Sequence, residues 1–221
     1  MIPKLTGHLS FPHPNDATVE GIVAYGGDLS PSRLMLGYQN GIFPWYSAGD
    51  PILWWSPNPR LILELDEFKL HKSLRKKIPQ FEIHFNTAFS TVIRACSTAP
   101  RGVQKGSWIT LEMIEAYETL HTLGYAHSVE AYQEGVLVGG LYGVVVGKVF
   151  CGESMFARIT DASKVAFASL VETLKAQGCR FIDCQVPTNH LKSLGAKEVS
   201  RELFLDYLDE ECEKDTISFV N

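Results

Sequence analysis

Apolar positions recur with a clear period from Leu61 onward, and much less regularly before it. Leu61 to Leu65 is a short apolar run that predicts a strand, and Phe68 to Ile78 carries the spacing of a basic helix. Phe81, Ile83 and Phe85 alternate with polar residues, which is strand periodicity. Asn86 is placed to cap a helix running to about Thr98. Thr110 is placed to cap another, with Ile114, Tyr117 and Leu120 on one face and Gly124 as its stop. Strands follow near 126–133, 136–146 and 148–156, separated by Glu134-Gly135 and Gly147-Lys148, both suited to hairpin turns. Asp161 can cap a helix to Gly178, and Arg180 to Gln185 reads as a short apolar strand. Two brief helices near 188–194 and 201–208 flank a strand at Lys197 to Val199. Residues 1–60 are rich in Gly and Pro and hold one clear helix, with Ser30 as cap, Pro31 at its first position and Gly41 at its end. The expectation is a small N-terminal α/β subdomain over 1–60, leaning on a larger unit over 61–221. Helices, an antiparallel meander, and then alternating helix and strand predict an α+β fold with a mixed sheet.

Composition narrows the class. The chain has 221 residues, 45% of them hydrophobic and 20% charged, which excludes a disordered polymer. No stretch approaches the ~20 apolar residues of a membrane helix. Met1 to Asp16 contains three prolines and no long apolar run, so it does not read as a secretory signal. The five cysteines form no C-x-x-C pair and the seven histidines have no ligand-like spacing, so neither a disulfide framework nor a metal site is expected. These features predict a soluble, cytoplasmic protein. The net charge is −5, but Asp209 to Asn221 alone contributes −4. That leaves room for a local basic face, and Lys69, Lys72, Arg75, Lys76 and Lys77 fall within nine residues.

Four constellations could carry chemistry. Trp45, Tyr46, Trp54, Trp55 and Trp108 are either core residues or walls of a pocket for an apolar guest. In Phe150 to Phe156, strand alternation puts Cys151, Glu153 and Met155 on one face and Gly152, Ser154 and Phe156 on the other. Glu153 is then either an edge-strand carboxylate in solvent or one aimed into a pocket, where it could bind an amine. Asp183 and Gln185 are two apart on a strand and share a face, with Cys184 opposite and buried. A carboxylate beside a carboxamide can orient an amine or accept its proton, or it can be structural. Lys72, Arg75 and Lys76, at i, i+3 and i+4, share a helical face that is either solvated or a phosphate-backbone site. No phosphate-binding G-x-x-x-x-G-K-[ST] loop is present, and no [QR]-x-x-G-x-[GA] loop of the kind that holds the pyrophosphate of acetyl-CoA.

Several blocks together resemble one family. They are Gly26-Gly27-Asp28-Leu29-Ser30-Pro31, Gly41-Ile42-Phe43-Pro44-Trp45, Ile52-Leu53-Trp54-Trp55-Ser56-Pro57, Phe150 to Phe156, and Ile182-Asp183-Cys184-Gln185 followed by Ser193-Leu194-Gly195-Ala196. In this order they resemble the bacterial leucyl/phenylalanyl-tRNA–protein transferases over roughly residues 22 to 208, whereas the last dozen residues depart from the pattern and read as an acidic tail. The resemblance implies a small N-terminal domain and a GCN5-related acyltransferase-like (GNAT) C-terminal domain that uses neither metal, acetyl-CoA nor any other cofactor. It implies transfer of Leu or Phe, and Met less well, from aminoacyl-tRNA to proteins with N-terminal Arg or Lys. The product carries an N-degron for Clp-protease degradation. By position it implies Asp183 and Gln185 as the catalytic pair. Trp45, Trp108, Phe150 and Leu141 would wall the aminoacyl side-chain pocket, with Tyr38 in the same neighbourhood. Glu153 and Ser154 would lie near the bound aminoacyl-adenosine and acceptor peptide, and Lys72, Arg75 and Lys76 on the tRNA acceptor stem. The rival readings are an acyl-CoA-dependent acyltransferase of the same fold and a non-catalytic tRNA-binding module.

Overall fold

The computed structural model describes residues 1–99 and 108–219. In chain order its elements are β1 (Lys4–Leu5), β2 (Ile22–Gly26), α1 (Pro31–Gln39), β3 (Phe43–Pro44), β4 (Leu53–Trp55), β5 (Arg60–Glu64), α2 (Lys72–Arg75), β6 (Glu82–Phe85), α3 (Phe89–Thr98), α4 (Leu111–Thr122), β7 (Ala126–Gln133), β8 (Val136–Val146), β9 (Val149–Ala157), α5 (Ala162–Ala176), β10 (Phe181–Gln185), α6 (Asn189–Ser193), β11 (Lys197–Val199) and α7 (Arg201–Cys212). The first strands form a small sheet in the order β1-β2-β4-β3. The rest form a seven-stranded sheet in the order β11-β5-β10-β9-β8-β7-β6. Its neighbours are antiparallel except for the parallel pair β9 and β10, so the sheet is mixed, as the element order predicts.

Both faces of the large sheet are covered, which is why β8 reads as a nearly unbroken apolar run instead of an alternating one. One face packs against α1, α3, α4, α7 and the small sheet through residues such as Leu34, Val92, Tyr117, Tyr142, Phe181 and Phe204. The other packs against α5 through Val129, Leu141, Phe150, Phe167, Leu170 and Ile182. The predicted hairpin turn at Glu134-Gly135 has φ of 51° and 74°, the left-handed pair that a tight turn between twisted strands requires. At α4 the Thr110 hydroxyl accepts from the Met113 N–H at 3.2 Å, a cap worth about 1 kcal/mol.

Four local expectations are corrected. The basic segment is no continuous helix from Phe68 to Ile78. Leu65–Glu67 is a 3-10 turn, the Lys69 N–H is taken by the Leu194 carbonyl, and α2 is a single turn before a second 3-10 turn at Ile78–Gln80 that contains Pro79. Asn86 does not cap α3. It turns the chain at φ 60°, and the buried Glu130 carboxylate accepts from the Thr87 and Ala88 N–H groups at that end instead. Asp161 precedes α5 at φ 71° without a side-chain cap, because its carboxylate is held by Lys77 at 2.6 Å and Lys164 at 3.0 Å. The acidic C-terminus is not a free tail: Asp209 to Cys212 complete α7, and Ile217 is 3% exposed in the core.

Candidate active site

The parallel strands β9 and β10 pair only at Phe150–Ile182 and Cys151–Asp183. Beyond that point each has its own irregularity. Tyr142 pairs with Ser154 while Gly143 pairs with Gly152, so Glu153 is an extra residue bulged out of β9. On β10 the register shifts between Asp183 and Gln185, and Gln185 adopts φ 60°. Such a conformation costs a non-glycine residue of order 1 kcal/mol and marks a re-aimed side chain. The bulge corrects the simple alternation expected of this strand. An extra residue inverts the phase, so Cys151 belongs to the face with Tyr117 and Tyr142, and Met155 to the face with Leu141 and Phe150.

Glu153 is on an interior strand, so the solvent-exposed edge reading does not hold. Its Oε1 accepts from the Tyr38 hydroxyl at 2.7 Å and from Gln185 Nε2 at 2.7 Å, and its Oε2 accepts from the Tyr117 hydroxyl at 3.3 Å. Tyr38 and Tyr117 also share a hydroxyl–hydroxyl hydrogen bond. Desolvation pushes the Glu153 pKa up to about 7; the bonds from Tyr38 and Gln185 oppose the rise and the Asp183 charge adds to it. Burial and the Glu153 charge hold both tyrosine pKa values well above the ordinary phenol range, so these hydroxyls are donors at neutral pH.

Asp183 is 1% exposed. Its Oδ1 accepts from Arg60 Nε at 2.8 Å and from the Gln185 backbone N–H at 2.9 Å, and its Oδ2 accepts from Arg60 Nη2 at 2.6 Å. Arg60 is equally buried, between the rings of Phe43 and Phe204 at 4.9 and 4.3 Å, and its Nη1 donates to the Gly41 carbonyl at 3.0 Å. The guanidinium thus ties the small sheet and α7 to β10. Asp183 meets Gln185 through the backbone N–H and not side chain to side chain on a shared strand face: the carboxylate fixes the turn that aims the Gln185 carboxamide at Glu153.

Two cavities adjoin Glu153 and Gln185. The larger, of about 290 Å³, is walled by Leu141, Phe150, Met155, Phe167, Leu170 and Ile182, with Ser154, Thr188 and His190 among its polar lining residues. The smaller, of about 70 Å³, is walled by Phe43, Pro44, Trp45 and Trp108. Glu153, Gln185 and Val186 line both. The four residues expected to wall one pocket are therefore divided: Leu141 and Phe150 belong to the large cavity, Trp45 and Trp108 to the small one. The cause is the bulged Glu153–Gln185 pair, which stands between the two sets. Cys184 also lines the large cavity, but burial raises its thiol pKa far out of the range of a nucleophilic thiolate.

Lys72, Arg75 and Lys76 are exposed, and buried Leu74 anchors their turn, whereas Lys77 is engaged by Asp161. The turn lies beside α6, where His71 Nε2 is 3.2 Å from the Ser193 carbonyl. Since α6 and the residues before it contribute Thr188, His190 and Leu191 to the large cavity, the basic turn neighbours one of its walls. Among the described residues no cluster of His, Cys, Asp and Glu could hold a metal ion, and no helix is long and apolar enough to cross a membrane.

The profile of the leucyl/phenylalanyl-tRNA protein transferases matches residues 62–209, and that of their N-terminal domain matches residues 27–58. The chain belongs to this family. It is accordingly an aminoacyltransferase, which sets aside both the acyl-CoA enzyme and the non-catalytic module. A leucyl/phenylalanyl-tRNA–protein transferase of Sulfurimonas denitrificans is 64% identical over 94% of this chain and 92% of its own length. One from Maridesulfovibrio salexigens is 55% identical over 92% and 86%. Among solved structures, L-PGS from Bacillus licheniformis is 14% identical, with a TM-score of 0.42 over 74% of this chain and 54% of that one.

Two residues of this transferase's candidate site carry little signal in its sequence. Arg60 heads the apolar run Arg60-Leu61-Ile62-Leu63, and a cation opening a buried strand was the available signal. Tyr117 shares a helix face with Ile114 and Leu120, and its hydroxyl is the signal in the sequence that this face also meets a carboxylate.

Proposed function

We propose that the enzyme moves Leu or Phe, and Met less well, from aminoacyl-tRNA to the α-amino group of proteins beginning with Arg or Lys, and that the product is an N-degron read by the Clp protease system. The observation that carries this is the large apolar cavity ending on Glu153 and Gln185. Its aliphatic and aromatic walls suit an unbranched or γ-branched apolar side chain, and the polar pair lies where the reacting ester and amine would meet. We assign residues 1–60 and 61–221 as the N-terminal and catalytic domains, and place the reaction in the cytoplasm, where charged tRNA is made.

The donor ester is already activated, so the enzyme's task is positioning and proton movement. The acceptor amine nitrogen attacks the ester carbonyl; the C–N bond forms, the C–O bond to the terminal ribose breaks, and the ribose oxygen takes a proton as the amine loses one. Glu153, with a pKa near 7, is matched to hold the incoming amine and to accept that proton. Gln185 orients the amine, and Asp183 with Arg60 holds Gln185 in its left-handed conformation. The small cavity walled by Trp45 and Trp108 offers aromatic faces for the terminal adenine or the acceptor's side chain. The deciding assay is transfer of radiolabelled Leu and Phe from charged tRNA to peptides beginning with Arg, Lys or Ala. Label on the Arg and Lys peptides supports the reading, and its absence from all three removes it.

Lys72, Arg75 and Lys76 are assigned to acceptor-stem phosphates. Their triple Ala substitution is expected to flatten the log–log dependence of tRNA affinity on salt by roughly 2 to 3, at about 0.7–0.9 per phosphate contact. Transfer from a minimal aminoacyl-adenosine donor should be nearly unaffected. Binding titrations at four salt concentrations test this, and an unchanged slope would return the turn to an ordinary solvated surface.

A further inference from the structure

The C-terminal segment lies beyond the residues matched by the family profile, which end at 209, yet it is built into the large cavity's surroundings. Helix α7 packs on one face of the large sheet through Phe204 and Leu208. The chain then rounds the end of the sheet at the β8–β9 turn. There the Lys148 N–H donates to the Glu211 carbonyl at 3.0 Å and the Ile217 N–H donates to the Gly147 carbonyl at 3.1 Å. A β-carbon at Gly147 would meet the Glu211 carbonyl at 2.3 Å, so this close passage requires glycine. Ile217 and Phe219 emerge on the opposite face, in the cluster that contains Phe150 and Leu141.

Two features fix Phe219 there. Gln177, just past α5, holds the neighbouring Ser218 by both backbone groups: its Nε2 donates to the Ser218 carbonyl and its Oε1 accepts from the Ser218 N–H, each at 2.8 Å. The Phe219 ring then stacks on Phe85 at 5.6 Å, tilts on His127 at 4.7 Å, and meets Phe150 edge-on at 6.2 Å. His127 is neutral at pH 7, since burial pushes its pKa down to about 4, so Phe219 rests on an uncharged platform. Phe150 is itself buried, at 1% exposed. Its ring leans across β8 at Gly143, where an added β-carbon would meet the ring at 2.5 Å, while it also forms a wall of the 290 Å³ cavity.

We infer that Phe219 is a positioning residue for donor selection: docked by Gln177 and Ser218, it braces the Phe150 ring and thereby sets the width of the cavity for the donor side chain. This rests on the donor reading above. Without the brace the Phe150 ring can recede, and a small side chain then loses more contact than a large one.

The test is transfer kinetics of the full-length enzyme with Leu and Phe donors on the same tRNA body. Phe219→Ala is expected to lower the Leu-to-Phe ratio of kcat/KM by at least about threefold, a modest fraction of the 10–200-fold that one methylene can command in a pocket. The change should lie in KM rather than kcat, and Phe219→Tyr, which retains the ring, should restore the ratio. Gln177→Ala, which loosens the segment without touching the cavity, should move the ratio in the same direction and decides the matter if Phe219→Ala does not fold. An unchanged ratio, or equal losses for both donors with a lowered Tm, would overturn the proposal. If the wild-type enzyme transfers neither Leu nor Phe, it is the donor reading that fails.

Discussion

Asp183→Ala is expected to lower turnover by about 100-fold or more while aminoacyl-tRNA affinity changes little. The carboxylate does not line either cavity among the described residues, so the loss comes from geometry. Asp183 holds the Gln185 N–H at 2.9 Å in a turn where Gln185 sits at φ 60°, and a displacement of the order of 1 Å at a reacting pair costs about 10²-fold. The substitution also strands the Arg60 guanidinium between Phe43 and Phe204, and breaking a buried pair in this way costs about 3–5 kcal/mol of stability. The double variant Arg60→Met with Asp183→Leu separates the two effects. Replacing a buried ion pair with apolar side chains is often neutral for stability, so Tm should recover while turnover does not. Single-turnover rates measured beside thermal unfolding check this. A double variant with normal turnover would remove Asp183 and Arg60 from the positioning of Gln185.

The second large effect is at Glu153. Glu153→Gln is expected to reduce transfer by about 10²–10⁴-fold, the range of a lost general base. Wild-type single-turnover rates should rise with pH through about 7, as the carboxylate ionises, and again near the pKa of the acceptor amine, which is about 8. In the variant only the upper limb should remain. Stability should move the other way. The folded state holds the Glu153 proton more tightly than the unfolded chain, so wild-type stability is fully present below about pH 4.5 and declines as pH rises through about 7. The neutral Gln escapes that loss. Its advantage should be near zero below pH 4.5 and grow to at most about 3.5 kcal/mol above pH 8, at about 1.4 kcal/mol per pKa unit. Denaturant unfolding at pH 5, 7 and 8.5 measures it; an advantage independent of pH would show that Glu153 titrates normally.

Much of this protein was determined locally and is legible in its sequence. Thr110 caps α4 through its own hydroxyl, Glu134-Gly135 makes its turn through its own dihedral angles, and the apolar runs of β5, β7, β8 and β10 form strands because hydrophobic periodicity is a property of neighbouring residues. The mixed α+β order follows from the succession of those elements. Where a long-range partner competes with a local one, tertiary contacts decide. Asn86 Oδ1 is taken by the Ser128 N–H, while Glu130 accepts from the Thr87 and Ala88 N–H groups just before α3; Lys77 and Lys164 take the carboxylate that Asp161 would have offered to α5; and Leu194 takes the Lys69 N–H that a longer basic helix would have used. The candidate residues of the site are legible in the sequence, but their arrangement lies in this second category. A bulge is one residue of register relative to a partner strand, so no pattern within Phe150 to Phe156 could show that Glu153 is the extra residue. The bulged Glu153–Gln185 pair lies between Trp45 and Trp108 on one side and Leu141 and Phe150 on the other, and the antiparallel pairing of β5 with β10, which sets Ile62 opposite Asp183, brings Arg60 within reach of its carboxylate. The C-terminal residues make the contrast sharpest. Their acidic composition suggests a solvated tail, yet Ile217 is buried and Phe219 packs half-buried against the same cluster, because the partners that hold them, Gln177 just past α5 and Gly147 in the β8–β9 turn, are far away in the chain.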